Sequence, residues 1–323
     1  MLSSARGVAT GSDGLLVTRG SQMALDLIGR SMIAPGDVVI VEALGHAQVW
    51  NAFRLAGAEL LPVPVGVGGL RVDLVAEIAA ARQVRAVYVT PHHQFPTTTV
   101  MPAARRQQLL DLAQAHGFAV IEDDYDHEFH YDGRPVLPLA SSDRAGVVLY
   151  VGTLSKILAP GLRIGFVAAP PPVIERMTSV RVAADLQGDL ALESAVAELF
   201  ATGELGRHVR RMRRTYRARR DALVSALRAE LAGRLDVAAP SGGMALWAHA
   251  AADVDVDAWA RRASSYGVAF RGGRMYDFGG EYQPFLRLGF TYHDERELAE
   301  AARRMARSLE RAPDRAANRR TPI

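Results

Sequence analysis

The chain of 323 residues contains no cysteine and a single lysine, Lys156. Without cysteine, it can form no disulfide framework, no thiolate nucleophile and no cysteine-ligated metal site. Because Lys156 is the only lysine, all the other residues in the Lys+Arg total of 38 are arginines. Arginine replaces lysine wherever a solvated positive charge suffices, but its guanidinium stays protonated and cannot attack a carbonyl as a neutral amine. Lys156 is either a surface lysine without a special role or an amine that the chemistry of the protein requires. The residues around it distinguish these two interpretations.

Other features are also missing. No apolar run approaches the length of a membrane span. The opening residues, MLSSARGVATGSDG, lack the apolar core of a signal peptide. The net charge of +3 is too small to indicate nucleic-acid binding by itself. With 49% hydrophobic and 23% charged residues, the composition is that of an ordinary globular protein. We expect a cytoplasmic protein with neither a membrane partner nor a nucleic-acid partner.

The first two-thirds of the chain alternate apolar strands with helices. The strands are rich in valine and isoleucine and are continuously apolar, which is typical of strands buried on both faces of a largely parallel sheet. Helical patterns, such as Ser21–Arg30 and Pro102–His116, lie between them. This alternation predicts a doubly wound α/β architecture. The predicted strands are Leu15–Thr18, Val38–Glu42, Glu59–Val63, Val84–Thr90, Phe118–Asp123, Val147–Gly152 and Ile164–Ala168.

The pattern changes after Pro170. Residues Ala191–Leu231 read as two helices that are separated at Thr202 and Gly203, and short strands mixed with helices follow from about Asp236. These later elements predict a smaller α+β domain, with strands Met244–His249, Val268–Arg271 and Phe285–Phe290 and helices Asp257–Tyr266 and Glu295–Arg311. We expect a large domain over residues 1–205, a small domain with its linking helix over 206–311, and a disordered tail over 312–323.

Three polar segments follow predicted strands or lie between a strand and a helix. Lys156 follows one buried strand, and Asp123 and Tyr125 stand at the end of another. Because ligands bind outside the carboxyl ends of strands in open α/β sheets, we expect these groups to share a cleft. The residues suited to hold a phosphate are Thr153, Ser155, Arg163 and the strand–glycine–helix junction Gly20, Ser21 and Gln22. Together these groups fit pyridoxal phosphate (PLP), which needs a lysine amine, an acid partner for its ring nitrogen and an anion site.

The motifs resemble a known family. The segments TPHHQFP at 90–96, IEDDYD at 121–126 and SKILAPGLR at 155–163 look like the aminotransferase-like domain of MocR-type regulators, a branch of the PLP fold type I aminotransferases. The resemblance covers about residues 14–309. It implies a Schiff base on Lys156, a pairing of Asp123 with the ring nitrogen, and a hydrogen bond from Tyr125 to the ring oxygen. It also implies a homodimer and a phosphate site formed by Gly20, Ser21, Gln22, Thr153 and Arg163. Arg287 would bind the carboxylate of an amino-acid substrate.

Some positions depart from that pattern. His46 stands where relatives place a tyrosine against the cofactor ring, and stacked histidine is common in fold type I enzymes that decarboxylate, cleave or condense. Phe95 stands where many aminotransferases have an asparagine on the ring oxygen. We expect an aminotransferase that acts on an amino acid or an amine. The alternatives that remain are a decarboxylase, a lyase, an oxidase and a non-catalytic effector module. The winged helix–turn–helix of the regulators, and the opening segment of the domain, are expected to be absent.

Other motifs favour simpler interpretations. Thr153 and Lys156 fit the S-x-x-K shape of certain hydrolases, but those enzymes need a second lysine. His127, Glu128 and His130 fit no standard metal spacing and are expected to be solvated loop residues, so no metal site is predicted. We interpret His92 and His93 as pocket walls. The arginine-rich segment Gly206–Arg220 carries an apolar stripe, which favours an amphipathic helix over a DNA-contacting one.

Overall fold

The structure is a computed structural model that describes residues 2, 6–134 and 136–310. The chain divides into two compact units. The first comprises Met1–Thr215, Pro240–Met244 and Tyr276–Glu281, and the second comprises Tyr216–Ala239, Ala245–Met275 and Tyr282–Ile323. The units therefore separate at Thr215, within a helix, whereas the sequence placed the boundary at 205/206. The predicted tail over 312–323 lies outside the described residues.

The first unit contains a seven-stranded sheet in the order β1-β9-β8-β7-β6-β2-β3. Neighbouring strands from β3 to β8 are parallel, and only β9 runs antiparallel, to both β8 and β1. The prediction of a mostly parallel sheet is confirmed. The seven strands are β1 (Leu15–Thr18), β2 (Val38–Glu42), β3 (Glu59–Val63), β6 (Val84–Val89), β7 (Ala119–Asp124), β8 (Val148–Thr153) and β9 (Gly165–Ala168), and a small hairpin adds β4 (Val65–Gly66) and β5 (Gly69–Leu70).

The strands are continuously apolar because both faces of the sheet are buried. In β2, Val38 and Ile40 belong to one hydrophobic cluster, whereas Val39 and Val41 belong to the cluster on the other face. Alternate side chains of a strand point to opposite faces, so each residue of such a strand must be apolar. The helices of this unit are α1 (Gly20–Met32), α2 (Ala47–Leu55), α3 (Val72–Ala81), α4 (Ala103–His116), α5 (Pro171–Asp185), α6 (Leu190–Ala201) and the first part of α7 (Glu204–Glu230).

Glycine and proline mark several helix boundaries as predicted. Helix α4 begins after Pro102 and ends at Gly117, whose φ of 70° is left-handed. The chain breaks between α6 and α7 at Thr202 and Gly203, where the sequence placed the break. Among the described residues, no helix has the length and apolar character needed to cross a membrane.

The second unit holds an antiparallel sheet in the order β10-β11-β13-β12. The predicted strand Val268–Arg271 is wrong over most of its length, because β12 begins only at Arg271. The Val268 amide instead donates to the carbonyl of Ala263 in the turn that follows a helix. The elements are β10 (Leu235–Asp236), β11 (Ala245–Ala250), β12 (Arg271–Gly272), β13 (Phe285–Gly289), α8 (Val256–Ser265) and α9 (Glu295–Glu310).

Candidate active site

Strand register brings the predicted site segments of the first unit to one edge of the sheet. Asp123 of β7 pairs with Val151 of β8, two residues before that strand ends. Gly165, the first residue of β9, pairs with Thr153 at the end of β8 and also with Thr18 at the end of β1. The carboxyl ends of β1, β7 and β8 therefore lie near one another, which is where an open α/β sheet binds ligands.

Asp123 is a buried carboxylate with one oxygen available. Its Oδ2 accepts a hydrogen bond from the hydroxyl of Tyr88 at 2.8 Å. Its Oδ1 is buried and has no hydrogen-bond partner among the described residues. Burial raises the pKa of Asp123 to about 7, and Asp124 and Asp126 add to that rise while the Tyr88 hydrogen bond opposes it. A cationic ring nitrogen at Oδ1 would satisfy the oxygen and keep the carboxylate ionised.

Lys156 follows β8 in a short turn. The amides of Ile157 and Leu158 both donate to the carbonyl of Leu154, which closes the turn. Leu154 and Ile157 are buried, whereas Lys156 between them is exposed. The charge of Lys156 also lowers the pKa of Asp123, although by less than burial raises it. The turn thus holds the lysine amine on the same side of the sheet as the buried carboxylate.

Gly20 and Arg163 form a close contact that a side chain at position 20 would prevent. Gly20 has a φ of 76°, and a Cβ there would lie 2.9 Å from Arg163 Nη2. Arg163 itself has a left-handed φ of 50°, and its Nη2 donates to the carbonyl of Arg19 at 3.4 Å. Gly20 and Arg163 thus both have positive φ angles, which residues with a side chain rarely adopt. This backbone geometry directs the Arg163 guanidinium across the start of α1.

The start of α1 is open to an anion. The side chain of its N-cap residue, Arg19, makes no cap hydrogen bond, and its first turn, which includes Ser21 and Gln22, contains no acidic residue. Close by, Thr153 Oγ1 donates to the carbonyl of Ile164 at 3.1 Å and accepts from the amide of Ser155 at 3.1 Å. The Ser155 hydroxyl is buried without a hydrogen-bond partner among the described residues. The orphaned Asp123 oxygen, the unused hydroxyl, the open helix terminus and the guanidinium fit a ligand with a ring nitrogen and a phosphate.

Aromatic side chains surround Phe95. Its ring centroid lies 5.3 Å from that of His46, 6.1 Å from that of Tyr125 and 5.5 Å from that of Tyr276. The Tyr125 hydroxyl donates to the backbone carbonyl of His93 at 3.0 Å, so its oxygen can still accept a hydrogen bond. His46 occupies the N-cap position of α2 and makes no cap hydrogen bond through its side chain. These four rings form an aromatic wall, and one of them, Tyr125, follows Asp123 by two residues.

Arg287 belongs to the second unit. It lies on β13, where it pairs with Trp247 of β11 and with Arg271 of β12. The sequence assigned Arg287 to a substrate carboxylate, and that role stays a prediction.

Sequence reasoning missed two buried polar pairs near this edge. Tyr88 donates a hydrogen bond to Asp123. The only sign of this role in the sequence is a residue with a hydroxyl group within an apolar strand. Glu42 accepts hydrogen bonds from the hydroxyl of Thr90 at 2.6 Å and from its amide at 3.2 Å. Burial raises the pKa of Glu42 to about 8. Both pairs join neighbouring strands, and the partners are too far apart in sequence for a motif to show them.

Of the three residues predicted to be solvated, His127, Glu128 and His130, the prediction is wrong for His127 and Glu128. His127 and Glu128 are each 6% exposed, and His130 is only partly exposed. His127 Nδ1 bonds Asp124 Oδ2 at 2.9 Å, and Glu128 forms a buried ion pair with Arg6. The loop is buried because its polar side chains find partners from other segments, which spacing alone could not show.

Comparison with known proteins agrees with this geometry. The family model for aminotransferase class I and II matches residues 3–305. The aromatic-amino-acid aminotransferase 1 of Thermococcus litoralis is 34% identical over 91% of this chain and 72% of that protein. The probable rhizopine catabolism regulatory protein MocR of Rhizobium meliloti is 32% identical over 93% of this chain and 60% of that protein.

Among solved structures, the kynurenine aminotransferase of Pyrococcus horikoshii, in complex with PMP, superposes with a TM-score of 0.88. It is 33% identical, and the match covers 96% of this chain and 78% of that one. The sequence-based predictions of fold class, cofactor and enzyme class are confirmed. The chain belongs to the aminotransferase class I and II family and is a pyridoxal-phosphate-dependent aminotransferase of fold type I.

Proposed function

We propose that this chain moves an amino group between an amino acid and a 2-oxo acid at the site formed by Lys156 and Asp123. The bound cofactor supplies an electron sink for the bond that breaks at the substrate α-carbon. The observation that carries the proposal is the buried Asp123, whose Oδ1 has no hydrogen-bond partner among the described residues, near the only lysine of the chain.

In this proposal Asp123 keeps the ring nitrogen protonated. The Tyr88 hydroxyl supports that role because it stabilises the ionised carboxylate from the opposite oxygen. Tyr125 bonds the ring oxygen, while His46 and Phe95 pack against the ring. The phosphate is held by the α1 amides of Gly20, Ser21 and Gln22 and by Thr153, Ser155 and Arg163.

Lys156 has two proposed roles. Its amine first anchors the cofactor covalently. After substrate has displaced it, Lys156 Nζ carries a proton away from the substrate α-carbon and later returns one. The exposed position of Lys156 supports the second role, because an amine that must move between two partners needs room.

We propose an aromatic amino acid as the amino donor. The aromatic wall of His46, Phe95, Tyr125 and Tyr276 supports this choice, because aromatic rings favour edge-to-face packing with one another. Two relatives also carry aromatic substrates in their names, an aromatic-amino-acid aminotransferase and a kynurenine aminotransferase. Arg287 binds the donor carboxylate in this proposal, through the paired N–H groups of its guanidinium.

The proposed assembly is a homodimer, as is expected for fold type I enzymes. Exposed apolar side chains in the first unit support a subunit interface, since Leu186 is 70% and Leu190 is 58% exposed. Light scattering tests the assembly, and a fully active monomer would contradict it.

A second candidate is an effector module that binds the cofactor and a ligand without turnover. The similarity to the MocR regulator favours it. Single-turnover spectroscopy separates the two candidates: phenylalanine, alanine and an amine without a carboxylate are each mixed with the cofactor-loaded protein. We expect phenylalanine to convert the bound cofactor to its amino form and to release a stoichiometric 2-oxo acid. A spectral change without any released 2-oxo acid would instead support the effector module.

A further inference from the structure

Histidines gather beneath the loops that follow β6 and β7, where the proposed function assigns no role to their side chains. The ring centroids of His92 and His93 lie 4.5 Å apart, and each ring lies 6.3 Å from that of His130. His92 and His93 are 2% and 1% exposed, whereas His130 is partly exposed. Three imidazoles are thus close together, and of the three only His130 is partly exposed to solvent.

The buried rings lack partners for several nitrogens. Both ring nitrogens of His92, and Nε2 of His93, have no hydrogen-bond partner among the described residues. A buried polar atom loses its bonds to water when the chain folds, so native proteins pair such atoms almost without exception. One ion could bind one nitrogen of His92 together with Nε2 of His93, which would satisfy a nitrogen of each ring.

We propose that His92, His93 and His130 bind a divalent transition-metal ion of the kind that takes imidazole ligands, such as Zn²⁺. The candidate ligand nitrogens of the three residues all lie within 4.8 Å of one another. Zn²⁺ takes histidine nitrogens at about 2.0–2.1 Å, so ligand atoms of one site lie only a few ångströms apart. An imidazole triad with one open position suits Zn²⁺, Co²⁺ or Ni²⁺ better than the hard cations Mg²⁺ and Ca²⁺, which prefer oxygen.

The surroundings of His93 match those of a metal ligand. Its Nδ1 bonds Asp126 Oδ1 at 2.7 Å, which directs Nε2 away from the carboxylate. Metal-binding histidines commonly hold a carboxylate on the ring nitrogen that does not bind the metal. Residue 242 is a glycine that packs against this ring: a Cβ there would lie 2.3 Å from Nε2, so a larger residue would block that nitrogen.

A second group of potential ligands, His92, Asp124 and His127, is less suitable. Asp124 Oδ2 already accepts hydrogen bonds from Tyr150 at 2.7 Å and from His127 at 2.9 Å. The Arg6 guanidinium also interacts with the Asp124 charge and would repel a metal cation. Arg106 and Arg213 likewise interact electrostatically with His92 and His130 of the three-histidine group. The carboxylate of that group, Asp126, sits behind His93, where its charge would partly offset theirs.

An ion at this point would join two loops that also carry residues of the cofactor site. His92 and His93 precede Phe95, and His130 follows Tyr125. The Tyr125 hydroxyl already donates to the His93 carbonyl. The metal would therefore fix the positions of two aromatic side chains without contacting the substrate, so its role is structural.

The test uses the full chain with its cofactor bound, dialysed against a chelator and then titrated with Zn²⁺. We expect one equivalent by elemental analysis and calorimetry. The equivalent should be lost in His92→Gln and His130→Gln, and its affinity should fall about 10- to 100-fold in Asp126→Asn, which removes the carboxylate behind His93. His116→Gln is the matched control, because His116 is exposed at the end of α4, and it should bind as the wild type does.

Co²⁺ gives a second readout, since its d–d absorption reports protein ligands and differs from a cofactor complex. Wild type and His116→Gln should develop the band, and His130→Gln should not. Because His130 is partly exposed, His130→Gln decides the matter even if His92→Gln fails to fold. Failure of wild type to bind Zn²⁺, or equal binding by His130→Gln, would overturn the metal site and leave the aminotransferase activity unaffected.

Discussion

The hydrogen bond between Tyr88 and Asp123 can be tested with Tyr88→Phe, which removes one hydroxyl and little volume. The bond is 2.8 Å long, and both residues are buried. A hydrogen bond to a charged group contributes about 1.5–3 kcal/mol. That free energy corresponds to a rise of about one to two units in the pKa of Asp123. Burial already raises this pKa to about 7 before a ring nitrogen pairs with the carboxyl, so loss of the Tyr88 hydrogen bond disfavours the ionised form further.

The direction of the pH effect follows from the charge of the acid. Asp123 is ionised above its pKa, and only the ionised form can keep the ring nitrogen protonated. A raised pKa therefore moves the acidic limb of the kcat/KM profile to higher pH, by about one to two units. At pH 7 we expect kcat/KM to fall about 10- to 100-fold, with partial recovery as the pH increases.

Tyr150→Phe is the matched control. Tyr150 is also a buried tyrosine, and it donates at 2.7 Å to the neighbouring Asp124, which lies on the opposite face of β7. Tyr150→Phe also removes the acceptor of a hydrogen bond from Arg6, so it should cost at least as much stability as Tyr88→Phe, and a shift in Tyr88→Phe alone isolates Asp123. A profile in Tyr88→Phe that superposes on wild type, or an equal shift in both variants, would refute the reasoning.

Three further predictions concern stability, cofactor affinity and substrate binding. Burial raises the pKa of Glu42 to about 8, so its stabilisation is complete below about pH 4.5 and is lost as the pH rises through 8; urea unfolding at pH 5 and pH 9 should show wild type losing up to about 5 kcal/mol relative to Glu42→Gln. Gly20→Ala should cost about 1–2 kcal/mol for its positive φ and should weaken cofactor binding about 10-fold, as followed by cofactor fluorescence, because the new Cβ would displace Arg163. Arg287→Ala should raise KM for phenylalanine about 10- to 100-fold by steady-state kinetics, as expected for loss of a paired charged hydrogen bond; an unchanged KM would remove Arg287 from the substrate site.

Much of the sheet could be predicted because its strands are buried on both faces. The first four residues of β2 are apolar because they alternate between two buried faces, so they stand out as one run, and the predicted bounds match the observed Val38–Glu42. The segment around Val268 shows the opposite case. Its apolar residues resemble a strand, but the turn after α8 uses the Val268 amide before any ladder can form.

The site residues that could be predicted from the sequence are those that lie at or next to the ends of strands. Asp123 lies at the end of β7, and Lys156 and the Gly20 junction follow β8 and β1; the strand register brings these ends together. Tyr88 and Glu42 could not be identified, because their partners lie on other strands. The histidine cluster was also missed, since it joins His92 and His93 with His130 across two loops and shows no short spacing.

The proposed active site depends above all on Lys156 as the residue that binds the cofactor. Borohydride reduction of the cofactor-loaded protein, followed by proteolysis and mass spectrometry, should find the phosphopyridoxyl mass on the one peptide that contains Lys156. Lys156→Arg keeps the charge but has no amine to react, so this variant should carry no label and should lack the near-visible absorption band of the wild type. Label on any other residue, or an unchanged absorption band in Lys156→Arg, would contradict the central claim.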